Sequence, residues 1–418
     1  MTELSTRAKR LVAEPSPLVT AHFEAAADTY HPVDNPTGYV NLGTAENHLV
    51  WDLLEPVVRT PRPLVASDVN YHHLYGMIAL RTAVADFLGR VHGASVSADD
   101  LVMVSGASAA LDILAYALCE PGDGILLPTP YYNGLEVDFG GRAAARIIPV
   151  ASSSEDGFAL RVDALETALR DARRDGVRVR AVALVSPNNP LGQTYLPETV
   201  TSVAEFAGRH GLALIADEIY GCSVFGDTGF RSALALPAEV LSPNQVHTVW
   251  GFAKDFALSG LKVGVLHTRH PEIRAAAQEL AYMTPVSTDT QVLLRELLSD
   301  QAWADSFVKE NRHRLADSYD VTSAALRGEA IPHLRADAGL FVWIDLRRWL
   351  GKPTVDAEHA LWRKIFDQGR VSISPGSIFQ CAEPGWFRLC HSVDEPSLRE
   401  GIARIGTTLR SISDREHH

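Results

Sequence analysis

The stretch Trp250-Gly-Phe-Ala-Lys-Asp-Phe-Ala-Leu-Ser-Gly-Leu-Lys-Val-Gly264 puts a lysine after an apolar run, Thr248 to Phe252, that is typical of a buried strand. Lysine is scarce here: only six of the 38 Lys and Arg residues are Lys, and two of the six are Lys254 and Lys262. A desolvated lysine has a lowered pKa and can form a Schiff base with a carbonyl compound. The alternative is a lysine that reaches solvent at a strand end, and this stretch alone leaves both interpretations open.

Outward from this stretch, short apolar runs alternate with amphipathic segments. The apolar runs predict strands at Leu101–Ser105, Gly124–Leu127, Ala145–Val150, Arg180–Ser186, Leu212–Asp217, Thr248–Phe252 and Val263–Thr268. The amphipathic segments predict helices at Ala107–Cys119, Arg161–Arg174, Pro197–His210 and Pro271–Tyr282. Strands that alternate with helices form βαβ units, which predicts an α/β fold whose mostly parallel sheet is covered by helices on both faces.

The pattern changes after a long helical stretch from about Thr288 to Leu326. A smaller α+β unit follows, with strands at Gly339–Leu346 and Phe387–Ser392 and helices at Val355–Gln368 and Glu395–Ser411. The first 60 residues show little periodicity, and we expect them to wrap the body. The chain is too long for one compact core. We therefore expect an N-terminal segment over residues 1–60 that joins the small domain, a large domain over 61–300 and a small domain over 301–418.

Composition excludes several classes of partner. The 418 residues are 46% hydrophobic and 21% charged, and 38 basic against 51 acidic residues leave a net charge of −13, which argues against nucleic acid and anionic membranes. No apolar run reaches 18 residues, and the N-terminus lacks the apolar core of a signal peptide. The four cysteines form no CxxC pair, so we expect reduced thiols and a cytoplasmic location.

Two strands are followed by polar residues at the edge of the sheet where α/β proteins bind ligands. Leu212-Ala-Leu-Ile-Ala-Asp-Glu-Ile-Tyr220 delivers Asp217, a carboxylate that needs a cationic partner when buried; a helix N-cap is the alternative. Ser186-Pro-Asn-Asn-Pro-Leu-Gly192 is either a plain turn or a rigid one that presents a fixed amide.

Two loops complete the pattern. Ser105-Gly-Ala-Ser108 links a strand to a helix, where free backbone N–H groups and the helix dipole favour an anion. Pro130-Tyr-Tyr-Asn133 places an aromatic pair after the next strand. Each of these signals is weak by itself, and their combination with Lys254 is more specific than any one of them.

In order and spacing, these elements resemble the pyridoxal 5′-phosphate (PLP) enzymes of the aspartate aminotransferase superfamily, fold type I. The resemblance implies that Lys254 is the Schiff-base lysine and that Asp217 pairs with the pyridinium nitrogen. It implies that Asn189 and Tyr220 hydrogen-bond the phenolic oxygen, and that Tyr132 stacks on the ring. Each role matches a chemical need of that cofactor.

The resemblance also places Ala107, Ser108 and Lys262 at the cofactor phosphate. The family usually carries SxSK before the lysine and an arginine eight residues after it. Here Gly251 and Ala253 replace the two serines and Lys262 replaces the arginine, so two hydroxyls are missing and a bidentate group has become a point charge. We expect weaker cofactor binding unless other groups compensate.

A narrower resemblance, to 1-aminocyclopropane-1-carboxylate (ACC) synthases, covers residues from about 38 to 412. Its motifs are Leu42-Gly-Thr-Ala-Glu-Asn-His-Leu49, Val286-Ser-Thr-Asp-Thr-Gln-Val-Leu-Leu294, Asn311-Arg-His-Arg-Leu315, Ala338-Gly-Leu-Phe-Val-Trp-Ile-Asp-Leu-Arg347, Ser374-Pro-Gly-Ser377 and Glu383-Pro-Gly-Trp-Phe-Arg-Leu389. The resemblance implies that Arg388 grips the substrate α-carboxylate, as a guanidinium fork can, and that Ala45 and Glu46 belong to the substrate site.

The family also has a tyrosine that reaches the phosphate of a neighbouring subunit. Its counterpart lies in Tyr71-His-His-Leu-Tyr-Gly76, where the spacing to Gly76 favours Tyr71 and leaves Tyr75 as the alternative. The resemblance therefore implies a homodimer. His72 and His73 raise the possibility of a metal site, but the sequence offers no third ligand, so we expect none.

The resemblance implies an enzyme that acts on S-adenosylmethionine, with Lys254 as the base at Cα and methylthioadenosine as the leaving group. After the leaving group departs, three outcomes compete: cyclisation to ACC, γ-elimination, and capture of the product by a second small-molecule acceptor. The alternative function is transamination by a class I/II aminotransferase. A transcription regulator that carries this fold is a third candidate. It would need a DNA-binding domain, for which the chain start offers neither room nor charge.

Overall fold

A computed structural model describes residues 3–12 and 17–416 of the chain. The strands of the structure are β1 (Val40–Asn41), β2 (Leu101–Val104), β3 (Gly124–Pro128), β4 (Arg146–Val150), β5 (Val179–Val185), β6 (Ala213–Asp217), β7 (Val246–Gly251), β8 (Gly264–Thr268), β9 (Phe341–Asp345), β10 (Val371–Ser372), β11 (Ser374–Pro375) and β12 (Trp386–Cys390).

The α-helices are α1 (Thr6–Val12), α2 (Pro17–Ala27), α3 (Trp51–Arg59), α4 (Ile78–His92), α5 (Ala107–Leu118), α6 (Leu135–Gly140), α7 (Val162–Arg174), α8 (Pro197–His210), α9 (Phe252–Asp255), α10 (Pro271–Leu280), α11 (Thr288–Ser299), α12 (Gln301–Gly328), α13 (Val355–Asp367) and α14 (Glu395–Glu416). No helix among residues 3–12 and 17–416 is long and apolar enough to cross a membrane.

Seven strands form a central sheet in the order β2-β8-β7-β6-β5-β3-β4. Strands β3 to β7 are mutually parallel, whereas β8 runs antiparallel to both of its neighbours, β7 and β2. Most strands of this sheet are buried along nearly their whole length, because helices cover both faces. The predicted α/β class with a mostly parallel, helix-covered sheet is confirmed.

A second, three-stranded antiparallel sheet has the order β11-β12-β9. Its apolar residues share one core with α13, α14 and the N-terminal region, including Tyr39, Val40 and Leu42. Strand β1 pairs in parallel with β10, so that Val40 faces Val371 across more than 300 residues of sequence. The N-terminal region thus packs with the C-terminal elements, although its own sequence shows little periodicity.

Two regions differ from the sequence-based expectation. The long helical stretch is two helices, because Asp300 leaves the helical conformation and its side chain accepts a hydrogen bond from the backbone N–H of Trp303, which caps α12. The first 60 residues contain helices of their own, and α4 was not predicted, because its polar and apolar residues are poorly segregated.

Candidate active site

Three of the predicted site residues lie at the carboxyl ends of β5, β6 and β7, which are adjacent and parallel, and the predicted phosphate turn follows β2 in the same sheet. Asp217 is the last residue of β6, and the turn with Asn189 follows its neighbour β5. Lys254 lies in the one-turn helix α9 directly after β7, on the other side of β6. The turn at Gly106 starts α5 after β2. The sheet topology therefore brings together residues that are up to 150 positions apart in the sequence.

Lys254 is enclosed at this edge. Its Nζ donates a hydrogen bond to the backbone oxygen of Ala45, at 2.6 Å. Burial, with a smaller contribution from the Arg388 guanidinium, lowers the pKa of the amine to about 8, and the Glu46 carboxylate partly opposes this shift. An amine with this pKa is largely available as a base and nucleophile at mildly alkaline pH.

Asp217 is buried without a cationic partner among the described residues. Its Oδ1 accepts a hydrogen bond from the backbone N–H of Ile219, at 3.2 Å, within a turn, so the N-cap alternative is wrong because no helix follows. Burial raises the pKa of its carboxyl to about 7, and the nearby Asp138 adds to the shift. A carboxyl in this situation gains from a cationic nitrogen beside it, which fits the ring nitrogen of PLP.

Arg388 links the two sheets at the site. It lies on β12, is 4% exposed, and donates to Asn189 Oδ1 at 2.9 Å and to the backbone oxygen of Gly43 at 2.6 Å. The rings of Phe341 and Phe379 lie 5.4 and 4.9 Å from its guanidinium carbon. In the described part of the chain no carboxylate pairs with this guanidinium, so its charge is available to an anionic ligand.

The aromatic residues differ in their surroundings. Tyr220 is buried, with the edge of its ring against Phe341 at a centroid distance of 5.2 Å. Tyr132 is 41% exposed as a residue, so it remains accessible to a planar ligand. Burial raises the pKa of both phenols, which keeps their hydroxyls protonated.

The amine of Lys262 lies close to the predicted phosphate turn. Gly106 has a φ of +98°, and a Cβ there would lie 3.6 Å from Lys262 Nζ. The Lys262 amine thus lies beside the N-terminus of α5, where two positive contributions favour a phosphate. Ala107 and Ser108 form the first turn of that helix, and Ser108 is exposed to solvent. This cradle fits the phosphate of PLP.

Asp138 was not identified from the sequence. This buried residue of α6 is hydrogen-bonded by Ser108, and burial raises the pKa of its carboxyl to about 6, which the nearby Lys262 opposes. It comes six residues after Tyr132 and carries no recognisable pattern, so only the packing of α6 against α5 reveals it.

The remaining predicted residues differ in exposure. The Glu46 side chain is half-buried, 4.0 Å from His48 Nε2. Tyr71 is 99% exposed, whereas Tyr75 stacks on His73 and lies under the Arg81 guanidinium. Among residues 3–12 and 17–416, no group of three His, Cys, Asp or Glu side chains is arranged to hold a metal.

Comparison with solved structures gives the fold. The chain matches aspartate aminotransferase from Thermus thermophilus with maleate at a TM-score of 0.81 and 24% identity, over 98% of this chain and 100% of that one. It matches an aromatic aminotransferase from Pyrococcus horikoshii at a TM-score of 0.77 and 22% identity, over 90% and 96% of the two chains.

Comparison of sequences gives the family. An ACC synthase of Glycine max is 35% identical over 413 residues, covering 94% of this chain and 84% of the relative. ACC synthase 3 of Oryza sativa subsp. japonica is 36% identical, covering 97% and 94%. The family model for aminotransferases of class I and II matches residues 63–405. The resemblance drawn from the motifs is confirmed: this chain is a PLP-dependent enzyme that belongs to the class I and II aminotransferase family and is similar to ACC synthases.

Proposed function

We propose that this enzyme acts on S-adenosylmethionine, removing the Cα proton and releasing methylthioadenosine from Cγ. The similarity to ACC synthases supports the choice of substrate, and one observation supports the Cα deprotonation: Arg388 and Lys254 donate to carbonyl oxygens only two residues apart, those of Gly43 and Ala45. Two residues of extended chain span at most about 7 Å. The proposed carboxylate anchor and the proposed base therefore lie at one site, as the removal of a proton from Cα of an α-amino acid requires.

The chain's residues divide the chemistry among them. Bound PLP supplies an electron sink for the charge that develops at Cα. Arg388 orients the substrate through its carboxylate, and Lys254, whose pKa burial lowers to about 8, takes the Cα proton. Asp217, Asn189 and Tyr220 would hold the PLP ring, where the Asp217 carboxylate would keep the ring nitrogen protonated, and Tyr132 would stack on the ring. Lys262, Ala107 and Ser108 would hold the phosphate.

The Glu46 carboxylate supports a cationic substrate. Glu46 lies close enough to Lys254 to affect its pKa, and its side chain is 43% exposed to solvent. The sulfonium of S-adenosylmethionine is both a cation and a good leaving group, and a carboxylate near its entry path attracts it. The outcome after the leaving group departs, whether cyclisation, γ-elimination or capture by a second small molecule, depends on positions within about 1 Å.

Transamination is the second candidate, because the fold neighbours are aminotransferases. Incubation with S-adenosylmethionine separates the two functions, since only the first releases methylthioadenosine.

Arg388→Ala should lower kcat/KM for the release of methylthioadenosine more than 100-fold, about 3 kcal/mol. The reason is that loss of the guanidinium leaves the buried carboxylate of the substrate unpaired. Arg348→Ala, a surface arginine bonded to the Ala330 oxygen, is the control. Fast exchange between an amino acid and a 2-oxo acid, with S-adenosylmethionine inert, would establish the aminotransferase instead.

We also infer a homodimer located in the cytoplasm. All four cysteines are buried free thiols, which suits a reducing compartment. Tyr71, fully exposed in one chain, is available to a partner subunit.

A further inference from the structure

Residues 43–48, here called the bridging segment, connect the side chains of Arg388 and Lys254, because both donate hydrogen bonds to its backbone. Besides the bonds from Arg388 and Lys254, its Glu46 oxygen accepts from Ser392 Oγ at 2.5 Å, and its His48 N–H donates to the Ser392 oxygen at 2.9 Å. The segment forms neither helix nor strand. Its position therefore depends on these backbone hydrogen bonds and on the hydrogen bonds of its own side chains.

The side-chain amide of Asn311 holds the bridging segment through Asn47. It is fully buried on α12, and its Oδ1 accepts a hydrogen bond from Asn47 Nδ2 at 2.7 Å. Its own Nδ2 donates to the backbone oxygen of Asp255 at 3.4 Å. Asp255 directly follows Lys254, so one amide joins the bridging segment to the turn that carries the lysine. A buried amide with partners on both sides defines the distance between them.

The lysine turn is itself fixed through Asp255. The Asp255 carboxylate is fully buried and accepts from Ser223 Oγ at 2.6 Å, Trp250 Nε1 at 2.8 Å and the Cys222 N–H at 2.9 Å. These donors tie the turn to β7 and to the loop after Tyr220. With the turn fixed by these donors, the Asn311 amide ties the bridging segment to it.

We propose that Asn311 is a positioning residue that sets the separation between Lys254 and Arg388 by holding the bridging segment against the lysine turn. The proposal rests on the proposed roles of Lys254 as base and Arg388 as carboxylate anchor. Both donate to the bridging segment, so a shift of the segment changes where a carboxylate-held substrate presents its Cα. An error of 1 Å in such a geometry costs about 100-fold in rate.

The test compares Asn311→Ala, Asn47→Ala and the double variant with Thr322→Val in the holoenzyme. Thr322 is a fully buried residue of the same helix whose hydroxyl donates to the Ser318 oxygen one turn earlier, so it controls for lost stability. The first readout is kcat and KM for S-adenosylmethionine. The second, independent of turnover, is the pH midpoint of the visible absorbance band of lysine-bound PLP.

Asn311→Ala should lower kcat at least tenfold relative to Thr322→Val and shift the absorbance midpoint by about one pH unit, because water reaches Lys254. The double variant should behave like Asn311→Ala alone, since both changes break one connection. If Asn311→Ala matches Thr322→Val in the midpoint, the positioning role is wrong. Should S-adenosylmethionine be inert with the unaltered enzyme, the proposed function fails, and the midpoint still decides the role of Asn311.

Discussion

At the scale of single residues, Lys254 shows how surroundings set chemistry. Burial lowers the pKa of its amine most, and Arg388 is the next largest cause. Both effects disfavour the ammonium form, so Lys254 loses its proton at a lower pH than an exposed lysine does. The guanidinium proposed to anchor the substrate therefore also leaves more of the neighbouring amine unprotonated near neutral pH, where it is available to accept a proton.

Replacing Arg388 tests this coupling. Arg388→Ala should raise the pKa of the Lys254 amine in the cofactor-free protein from about 8 toward its ordinary value of 10.5. The rate at which an acylating reagent labels Lys254, measured by peptide mass spectrometry across pH, gives the midpoint. Lys352, exposed in a loop, serves as the internal reference in the same samples. An unchanged midpoint would mean that burial alone sets the pKa.

At the scale of elements, glycines let the phosphate turn approach β7 and β8. A Cβ at Gly264 would lie 2.3 Å from the carbonyl carbon of Gly106, and a Cβ at Gly251 would lie 2.7 Å from the Val263 oxygen. Gly251 and Gly264 are also direct partners in the β7–β8 pair. A serine at position 251, as in the family's usual SxSK motif, would enter this packing only with a shift of the backbone.

Restoring the family's usual residues at positions 251, 253 and 262 should have different effects on PLP binding and on stability. Ala253→Ser combined with Lys262→Arg should slow the loss of PLP on dialysis about tenfold, because two added hydrogen bonds contribute about 1 kcal/mol each at most. Gly251→Ser should instead lower the Tm, since the backbone at Val263 must move. Retained absorbance and thermal unfolding measure the two effects, with Lys352→Arg as the control. Equal loss from parent and double variant would show that other groups hold the phosphate.

At the scale of the whole molecule, two segments carry exposed apolar residues. Val65, Val69, Tyr71 and Ile78 are all exposed along the segment before and at the start of α4. Exposed Tyr282 and Met283 adjoin the phosphate turn, because Thr284 accepts hydrogen bonds from Ser105. Several exposed apolar residues on one segment are typical of a surface that another protein covers, which supports the proposed homodimer.

A charge placed in this surface should separate the subunits. Val69→Asp should shift the protein from dimer toward monomer in sedimentation velocity, and the monomer should retain less PLP because Tyr71 of a partner would be missing. Val33→Asp is a matched control, because Val33 is 79% exposed and Val69 80%, but Val33 lies in the N-terminal turn between His31 and Asn35. A parent protein that sediments as an active monomer would contradict the homodimer.

The predictable parts of this fold depend on local pattern. The strands that end at Asp217 and before Lys254 were placed within two residues, because a strand buried on both faces is a continuous apolar run. The break at Asp300 was missed because helical periodicity continues on both sides of it. The large and small domain bounds stay a prediction.

The sequence by itself determined the α/β class and which residue types stand at the strand ends, since both follow from periodicity and from motifs that adjoin in the chain. The tertiary structure decided what each charge faces. Arg388 meets Gly43 across 345 residues, and Asn47 meets Asn311 across 264. Asp138 reaches Ser108 only because α6 packs on α5. Such contacts, and the pKa shifts that burial causes, depend on distances in space that no spacing along the chain encodes.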